Sequence, residues 1–315
     1  MVELSVIIPT FNRAHYLRKT VESILGQSLD KNRYEIIVID NGSTDDTRVV
    51  IDELNKINSS YIRYFYESRP GLHVGRHKGA KEARGEILVY CDDDIIAEKT
   101  WLEGIYESFQ DPKVVLVGGK NLPKWEGEIP AWISLFRSEN EYGWTICYLS
   151  LLDFGDVTKE IPAYYVYGCN FSILKPVLFE CGGFHPDSMP QELIRYRGDG
   201  ETGLSLTIMA KGYKSVYEPK ACVYHRVPSE RMTIEYFCQR AFNQGVSDSY
   251  SAIRKKGGII FNEGVDISKK LNVEHEVLRQ VQAAYREGRE YHKREVAADP
   301  DLLAYVLQEK YYEGF

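Results

Sequence analysis

The sequence predicts an α/β fold, in which helices flank an open, mostly parallel sheet and a helical extension follows at the C-terminal end. Two observations carry this prediction. In the first hundred residues, short apolar runs alternate with stretches of helical periodicity, with roughly 25 residues to a unit, as in parallel strands joined by helices. Each of these apolar runs also ends in a polar cluster, and in such sheets ligands bind at the carboxyl ends of the strands.

Length and composition set outer bounds on the function. A chain of 315 residues can form one large domain or two modest ones. A net charge of −7 argues against nucleic-acid binding across the surface. None of the six cysteines lies in a Cys-x-x-Cys pair, and no apolar run approaches the ~18 residues of a membrane span. We therefore expect a cytoplasmic protein with reduced thiols.

The first half of the chain supplies four predicted strands. These are residues 4–9, 34–39, 61–66 and 86–91, each rich in Val, Ile, Leu or Tyr. Apolar residues at helical spacing follow the first two strands, and a segment punctuated by Gly71, Gly75 and Gly79 leads through a short helix to the fourth. Thr10, Asp40 and Asp92 fall at the ends of strands, so we expect them to converge on one crevice.

The fourth strand ends in three consecutive carboxylates, Asp92-Asp93-Asp94. Three like charges at the end of a buried strand cost free energy unless a cation or strong donors lie beside them. Asp92 and Asp94 could both reach one divalent ion, because oxygen ligands suit magnesium, manganese and calcium. The alternative is an acidic turn that caps a following helix.

The second half is less regular. After a helix at 98–109, we predict strands at 114–119, 164–174, 214–217 and 221–225, a helix starting near Thr202, and charged helices at 273–296 and 301–312. Residues 121–162 carry three tryptophans, which either cover the acceptor side of a cleft or anchor this insertion to the core. The last helices pack on the core, pair with a second subunit or rest on a membrane surface.

The common phosphate-binding loops are absent from this sequence. There is no Gly-x-x-x-x-Gly-Lys-Ser/Thr loop, and Gly71, Gly75 and Gly79 do not match the dinucleotide spacing. A phosphate would therefore be held by a metal and by cationic side chains, of which Arg76 and Lys78 are the nearest candidates.

Four ordered motifs resemble those of the family 2 glycosyltransferases. They are the segment from Ser5 to Arg13, the segment from Asp40 to Thr47, Gly75-Arg76-His77 and Asp92-Asp93-Asp94. The resemblance implies a GT-A fold and a nucleoside-diphosphate sugar as donor. It also implies that nucleotide-sugar contacts come from Pro9, Thr10, Asn12, Arg13, Asp40, Asn41, Gly42, Arg76, Asp92, Asp93, Gly168 and Asn170.

The same resemblance implies a metal and a base. Asp94 and Asp92 would hold Mn²⁺ or Mg²⁺, with His225 closing the metal shell. Aligning Gly212-Tyr213 backwards puts Glu201 at the position of the family's catalytic base, and Asp199 lies two residues before it. Either carboxylate could be the base, and the alternative is that both only cap the helix that follows.

These observations predict an inverting glycosyltransferase that moves a sugar, from a UDP-sugar by preference, to a hydroxyl of a glycan or lipid-linked acceptor. Such an enzyme would serve polysaccharide or glycoconjugate synthesis. The catalytic domain would span 1–226, with a nucleotide-binding half at 1–120 and an acceptor-binding half at 121–226. Residues 227–315 would form an extension that contacts a second subunit or the membrane periphery. The alternatives are a nucleotidyltransferase of similar fold and an inactive sugar-nucleotide or glycan-binding protein.

Overall fold

The computed structural model describes residues 2–58, 61–257 and 276–313. In these residues, helices flank a 12-stranded sheet, as predicted, and its strands pair in both parallel and antiparallel directions. The strands are β1 (Leu4–Thr10), β2 (Tyr34–Asp40), β3 (Ile62–Tyr66), β4 (Ile87–Cys91), β5 (Ile95–Ala97), β6 (Val114–Glu126), β7 (Ser138–Glu139), β8 (Trp144–Ile146), β9 (Leu151–Asp153), β10 (Lys159–Glu160), β11 (Asn170–Leu174) and β12 (Lys214–Pro228). The α-helices are α1 (Ala14–Leu25), α2 (Thr47–Ile57), α3 (Leu72–Glu82), α4 (Trp101–Ser108), α5 (Lys175–Glu180), α6 (Glu201–Ala210), α7 (Ile234–Lys256), α8 (Glu276–Ala298) and α9 (Pro300–Leu307).

The parallel half of the sheet has the order β3-β2-β1-β4. Strands β1 and β2 pair in register from Leu4 opposite Tyr34 to Thr10 opposite Asp40. Both strands, and β4, are buried along their whole length, which explains their near-continuous apolar runs. The polar residues that end these strands therefore lie along one edge of the sheet.

The remaining strands extend the sheet beyond β4. Strand β11 is antiparallel to both β4 and β6, and β12 runs parallel to β6. The prediction of two short strands at 214–217 and 221–225 is wrong, because β12 is one strand of 15 residues. Its register against β6 shifts between Glu218 and Val223, so the polar stretch that resembled a turn is a local irregularity within the strand.

The glycines of α3 serve close packing. A Cβ atom at Gly79 would lie 2.3 Å from Ile7 Cγ2, and one at Gly75 would lie 3.2 Å from Pro9 Cβ. Both glycines lie inside the helix, so they let α3 approach β1 instead of forming a phosphate loop. This close approach brings Arg76, on the same helix, to the edge of the sheet where the strands end.

The tryptophans of the insertion at 121–162 anchor it to the core. The Trp132 ring lies edge-on to Phe237 of α7, with ring centroids 4.9 Å apart. Trp125 and Trp144 pack against the same apolar cluster, which also contains residues of α8.

The C-terminal helices pack on α7 within the same chain. A Cβ atom at Gly245 of α7 would lie 2.1 Å from the Tyr285 carbonyl oxygen, and one at Gly288 of α8 would lie 2.1 Å from the Phe242 carbonyl oxygen. The two helices thus cross in backbone contact. The predicted start of α8, at residue 273, lies outside the described residues. No helix in the described part of the chain combines the length and apolar character needed to cross a membrane.

Candidate active site

A cavity of about 350 Å³ opens where the parallel strands end. One wall comes from the loops after β1, β2 and β4, and the opposite wall comes from the insertion, the end of β12 and the start of α7. Among the predicted site residues, its lining includes Pro9, Thr10, Arg13, Asn41, Asp92, Asp93 and His225.

The acidic turn lies at the floor of this cavity. Thr10 Oγ1 donates a hydrogen bond of 2.7 Å to Asp93 Oδ2, and Arg13 Nε lies 3.1 Å from Asp93 Oδ1. Burial raises the pKa of Asp93 to about 7, although the charge of Arg13 opposes this shift. Strand β5 follows the turn directly, so the alternative in which these carboxylates cap a helix does not apply.

Asp92, Asp94 and His225 form a group that fits a divalent cation. Each offers one ligand atom, and these atoms all lie within 4.8 Å of one another. His225 Nδ1 lies 2.9 Å from the Leu149 carbonyl oxygen, which can only accept, so Nδ1 carries the hydrogen. In the neutral ring, the lone pair is then on Nε2, 3.3 Å from Asp94 Oδ1.

Asp94 Oδ1 is buried and accepts no hydrogen bond from the part of the chain that the structure describes. Two electron-rich atoms that face each other in a buried site are stabilised by a cation between them. A mixture of carboxylate and imidazole ligands suits manganese and other transition ions better than calcium. The residues therefore fit the predicted metal.

Permanent positive charges also surround Asp94. Arg13 and Arg231 both bind its Oδ2, with a distance of 2.7 Å for Arg231. Burial alone would raise the pKa of Asp94, but His225, when protonated, and the two guanidinium groups lower it below its usual range. Asp94 is therefore a carboxylate at neutral pH. For Asp92, burial and the nearby charge of Asp94 instead raise the pKa.

The loops after β1, β2 and β3 are tied to one another by predicted site residues. Asn12 Oδ1 accepts from the Thr44 backbone nitrogen at 2.7 Å, and Asn41 Nδ2 donates to the Glu67 carbonyl at 3.1 Å. Asp40 is buried. Its carboxylate accepts hydrogen bonds from the Ser43 backbone nitrogen at 2.7 Å and from the Tyr64 hydroxyl at 2.6 Å. Gly42 has φ of 92°, a left-handed conformation that favours glycine.

Glu201 lies at the start of α6 and points at Arg76. The Arg76 guanidinium donates to Glu201 Oε2 at 3.2 Å and lies 4.0 Å from Asp92 Oδ1. Glu201 Oε1 accepts from the Gly168 backbone nitrogen at 3.0 Å. A Cβ atom at Gly168 would lie 2.2 Å from Arg76 Nη2, so a larger residue there would displace the guanidinium. Glu201 remains 26% exposed, whereas Arg76 is 3% exposed.

Two predicted site residues have their polar atoms engaged elsewhere in the protein. Both carboxylate oxygens of Asp199 accept hydrogen bonds of 2.6 Å, one from His185 Nδ1 and one from Ser251 Oγ. The Asn170 amide accepts from Trp101 Nε1 at 2.9 Å and donates to the Ala221 carbonyl at 2.8 Å. These side chains brace the supporting elements. Like Arg76, Gly168 and Glu201, they are not among the residues that line the cavity described above.

Comparison with known proteins identifies the family. The sequence profile of the family described as Glycosyl transferase family 2 matches residues 5–184, which is more than half of the chain. The chain belongs to glycosyl transferase family 2. The match contains the acidic turn, Arg76 and Gly168, and it ends before Asp199, Glu201 and His225.

Two curated relatives act on lipid-linked substrates, according to their names. The chain is 26% identical over 251 residues to the glucosyl-dolichyl phosphate glucuronosyltransferase of Haloferax volcanii, with 78% of this chain and 76% of the relative covered. It is 41% identical over 96 residues to the GalNAc(5)-diNAcBac-PP-undecaprenol beta-1,3-glucosyltransferase of Campylobacter jejuni. That match covers 30% of each chain.

Among solved structures, the chain resembles the mannosyltransferase PcManGT of Pyrobaculum calidifontis, determined in complex with GDP-Man and Mn²⁺. The TM-score is 0.58 at 20% sequence identity, with 96% of this chain and 78% of the other covered. This likeness shows the fold, which is of the GT-A type predicted from the sequence.

The residues that line the cavity of this family 2 glycosyltransferase and were not predicted as site residues include Phe11, Arg231, Tyr236 and Arg240. Phe11 is 54% exposed, and its place between Thr10 and Asn12 in the first motif could have identified it. Arg231 lies in a short turn after β12, and Tyr236 and Arg240 lie in α7, beyond the four motifs that pointed to the site. Only the tertiary structure brings them to the acidic turn.

Proposed function

We propose that this chain is an inverting, metal-dependent glycosyltransferase that uses a nucleoside-diphosphate sugar, with a UDP-sugar favoured. The observation that carries the proposal is the position of Arg76. This buried guanidinium lies between Glu201, at 3.2 Å, and Asp92, at 4.0 Å. A candidate base and a candidate metal-binding carboxylate therefore lie beside the same buried guanidinium, which supports a single site that contains both.

The donor would bind along the loops after β1 and β2. The exposed ring of Phe11 offers a face on which a nucleobase can stack, and Arg13 supplies charge for the phosphates. Asp92, Asp94 and His225 would hold Mn²⁺ or Mg²⁺. Such an ion would supply Lewis-acid stabilisation of the departing nucleoside diphosphate.

Glu201 would act as the general base. Its carboxylate would take the proton of an acceptor hydroxyl while the acceptor oxygen forms a bond to the anomeric carbon and the bond to the diphosphate breaks. Attack in line with the leaving group inverts the anomeric configuration. Because both oxygens of Asp199 already accept hydrogen bonds in the interior, the geometry favours Glu201 over Asp199 for this role.

The names of the relatives suggest the acceptor. Two of them act on dolichyl phosphate or undecaprenol diphosphate carriers, and we propose a lipid-linked glycan acceptor here. Contact with the membrane would then be peripheral.

A donor screen tests the proposal. The protein is incubated with UDP- and GDP-sugars and Mn²⁺, with and without a short-chain polyprenyl-linked sugar. We expect release of nucleoside diphosphate and a product whose anomeric configuration, determined by NMR, is opposite to that of the donor. Retention of configuration would refute the inverting mechanism. Release of pyrophosphate from a nucleoside triphosphate and a sugar phosphate would instead indicate a nucleotidyltransferase.

A further inference from the structure

Arg231 occupies an unusual position in the site. It lies in a single 3₁₀ turn, Ser229–Met232, between β12 and α7, and its side chain is 18% exposed. One guanidinium nitrogen donates to Asp94 Oδ2 at 2.7 Å, and the other lies 3.2 Å from His225 Nε2. The guanidinium thus spans two of the three groups that fit a metal.

The hydrogen bonds of His225 define what Arg231 is bound to. A guanidinium can only donate, so Nε2 must accept, in agreement with the hydrogen on Nδ1 that the Leu149 carbonyl requires. The ring nitrogen that faces the acidic turn has a single lone pair, and Arg231 uses it.

A divalent ion held by His225 and Asp94 would need the same electrons. One imidazole lone pair cannot serve a metal and a hydrogen-bond donor together, and a guanidinium would repel a dication placed beside it. Arg231 and the metal therefore exclude each other at Nε2.

We propose that Arg231 competes with the metal for this site. Its guanidinium holds the ligand set together and must leave it when a divalent ion binds. This inference rests on the metal-dependent function proposed above. The displaced guanidinium remains at the cavity wall that Arg231 already lines, where a diphosphate could accept from it. The metal would then bind weakly alone and tightly together with a nucleotide, because only the nucleotide gives Arg231 a new partner.

The test measures metal affinity, and not only turnover. Arg231→Gln is compared with Arg226→Gln, a matched control that removes a nearby positive charge. Arg226 binds Glu126 at 2.6 Å and stacks on Tyr16, and its side chain makes no contact with the candidate ligand atoms in the described structure. Mn²⁺ is titrated by calorimetry and by electron paramagnetic resonance, with and without UDP or GDP, at one fixed pH.

We expect Arg231→Gln to bind Mn²⁺ alone about tenfold more tightly than wild type, within the usual range of coupling between sites. Arg226→Gln should stay close to wild type. The factor by which nucleotide strengthens Mn²⁺ binding should shrink in Arg231→Gln alone. Arg231→Met should behave like Arg231→Gln, and a merely structural defect would not tighten metal binding in either.

Unchanged or weaker Mn²⁺ binding in both Arg231 variants, with normal binding in wild type, overturns this inference and leaves the proposed function standing. An equal gain in Arg226→Gln overturns it too, because the effect would then be one of overall charge. If wild type binds no Mn²⁺ even with nucleotide, the metal-dependent function fails, and the inference fails with it.

Discussion

The role of Glu201 can be separated from that of Asp199 by a pair of amide substitutions. Glu201→Gln keeps the shape of the side chain and an oxygen that can accept from the Gly168 backbone nitrogen, but it removes the proton acceptor. Loss of a general base lowers a rate by ~10²–10⁴-fold, which corresponds to about 3–5 kcal/mol of barrier. We expect this loss in kcat, with nucleotide affinity near wild type.

Glu201→Gln should also lower the free energy of unfolding. Arg76 is buried and loses one of its two carboxylate neighbours, but Asp92 remains at 4.0 Å. Breaking a fully buried pair costs about 3–5 kcal/mol. Because water reaches Glu201, we expect a smaller loss of about 1–2 kcal/mol in the free energy of unfolding.

Asp199→Asn should lower stability, but it should lower kcat less than Glu201→Gln does. The Asp199 side chain is 6% exposed, and one of its two donors, His185 or Ser251, would meet an amide nitrogen in place of an oxygen. An unsatisfied buried donor costs about 1–3 kcal/mol, so we expect a lower melting temperature and a smaller loss of kcat than in Glu201→Gln. Steady-state transfer at saturating donor, thermal denaturation and calorimetry with nucleotide make the comparison. If Asp199→Asn loses its turnover while Glu201→Gln retains most of its own, the assignment of the base is wrong.

Three further predictions test the metal, the helix packing and a buried histidine. Asp94→Asn should lose the metal-dependent part of nucleotide binding in calorimetry, and wild-type binding of both ligands would contradict the metal assignment. Gly245→Ala would place a Cβ atom 2.1 Å from the Tyr285 carbonyl oxygen and should lower the free energy of unfolding in urea by about 1–3 kcal/mol. The control Gly26→Ala, at φ of −90°, should change it little. Burial lowers the pKa of His292 from 6.5 to about 4, so the unfolded chain binds the extra proton and stability falls as the pH falls between these values. In His292→Gln, chemical denaturation should show a pH slope in that range that is smaller by up to ~1.4 kcal/mol per pH unit; an unchanged slope would contradict the shift.

The parallel half of the sheet was predictable because β1, β2 and β4 are buried along their whole length and are followed by polar residues. Apolar runs followed by Thr10, Asp40 and Asp92 indicate where the strands end, and parallel pairing brings these ends together. These are local signals that a single sequence carries.

The rest depends on contacts that local patterns do not encode. Asn170 stands in a motif-like position, but Trp101 and the Ala221 carbonyl, distant in sequence, bind its amide. Arg231 reaches Asp94 from 137 residues away, because a long strand and a tight turn carry it there. A register shift inside β12 also resembles a turn in the sequence, since polar residues and a proline are common to both.

The acceptor of the His225 Nδ1 hydrogen bond is a main-chain carbonyl, so this contact constrains the backbone of the insertion. Every amino acid at position 149 supplies the same oxygen, so the side chain there, which packs in the core, does not decide which ring nitrogen faces Asp94. What evolution must preserve is the path of the backbone, including the left-handed turn at Ser150, where φ is 55°. A loop of different length transplanted into this insertion would therefore also disturb the tautomer of a histidine on another strand.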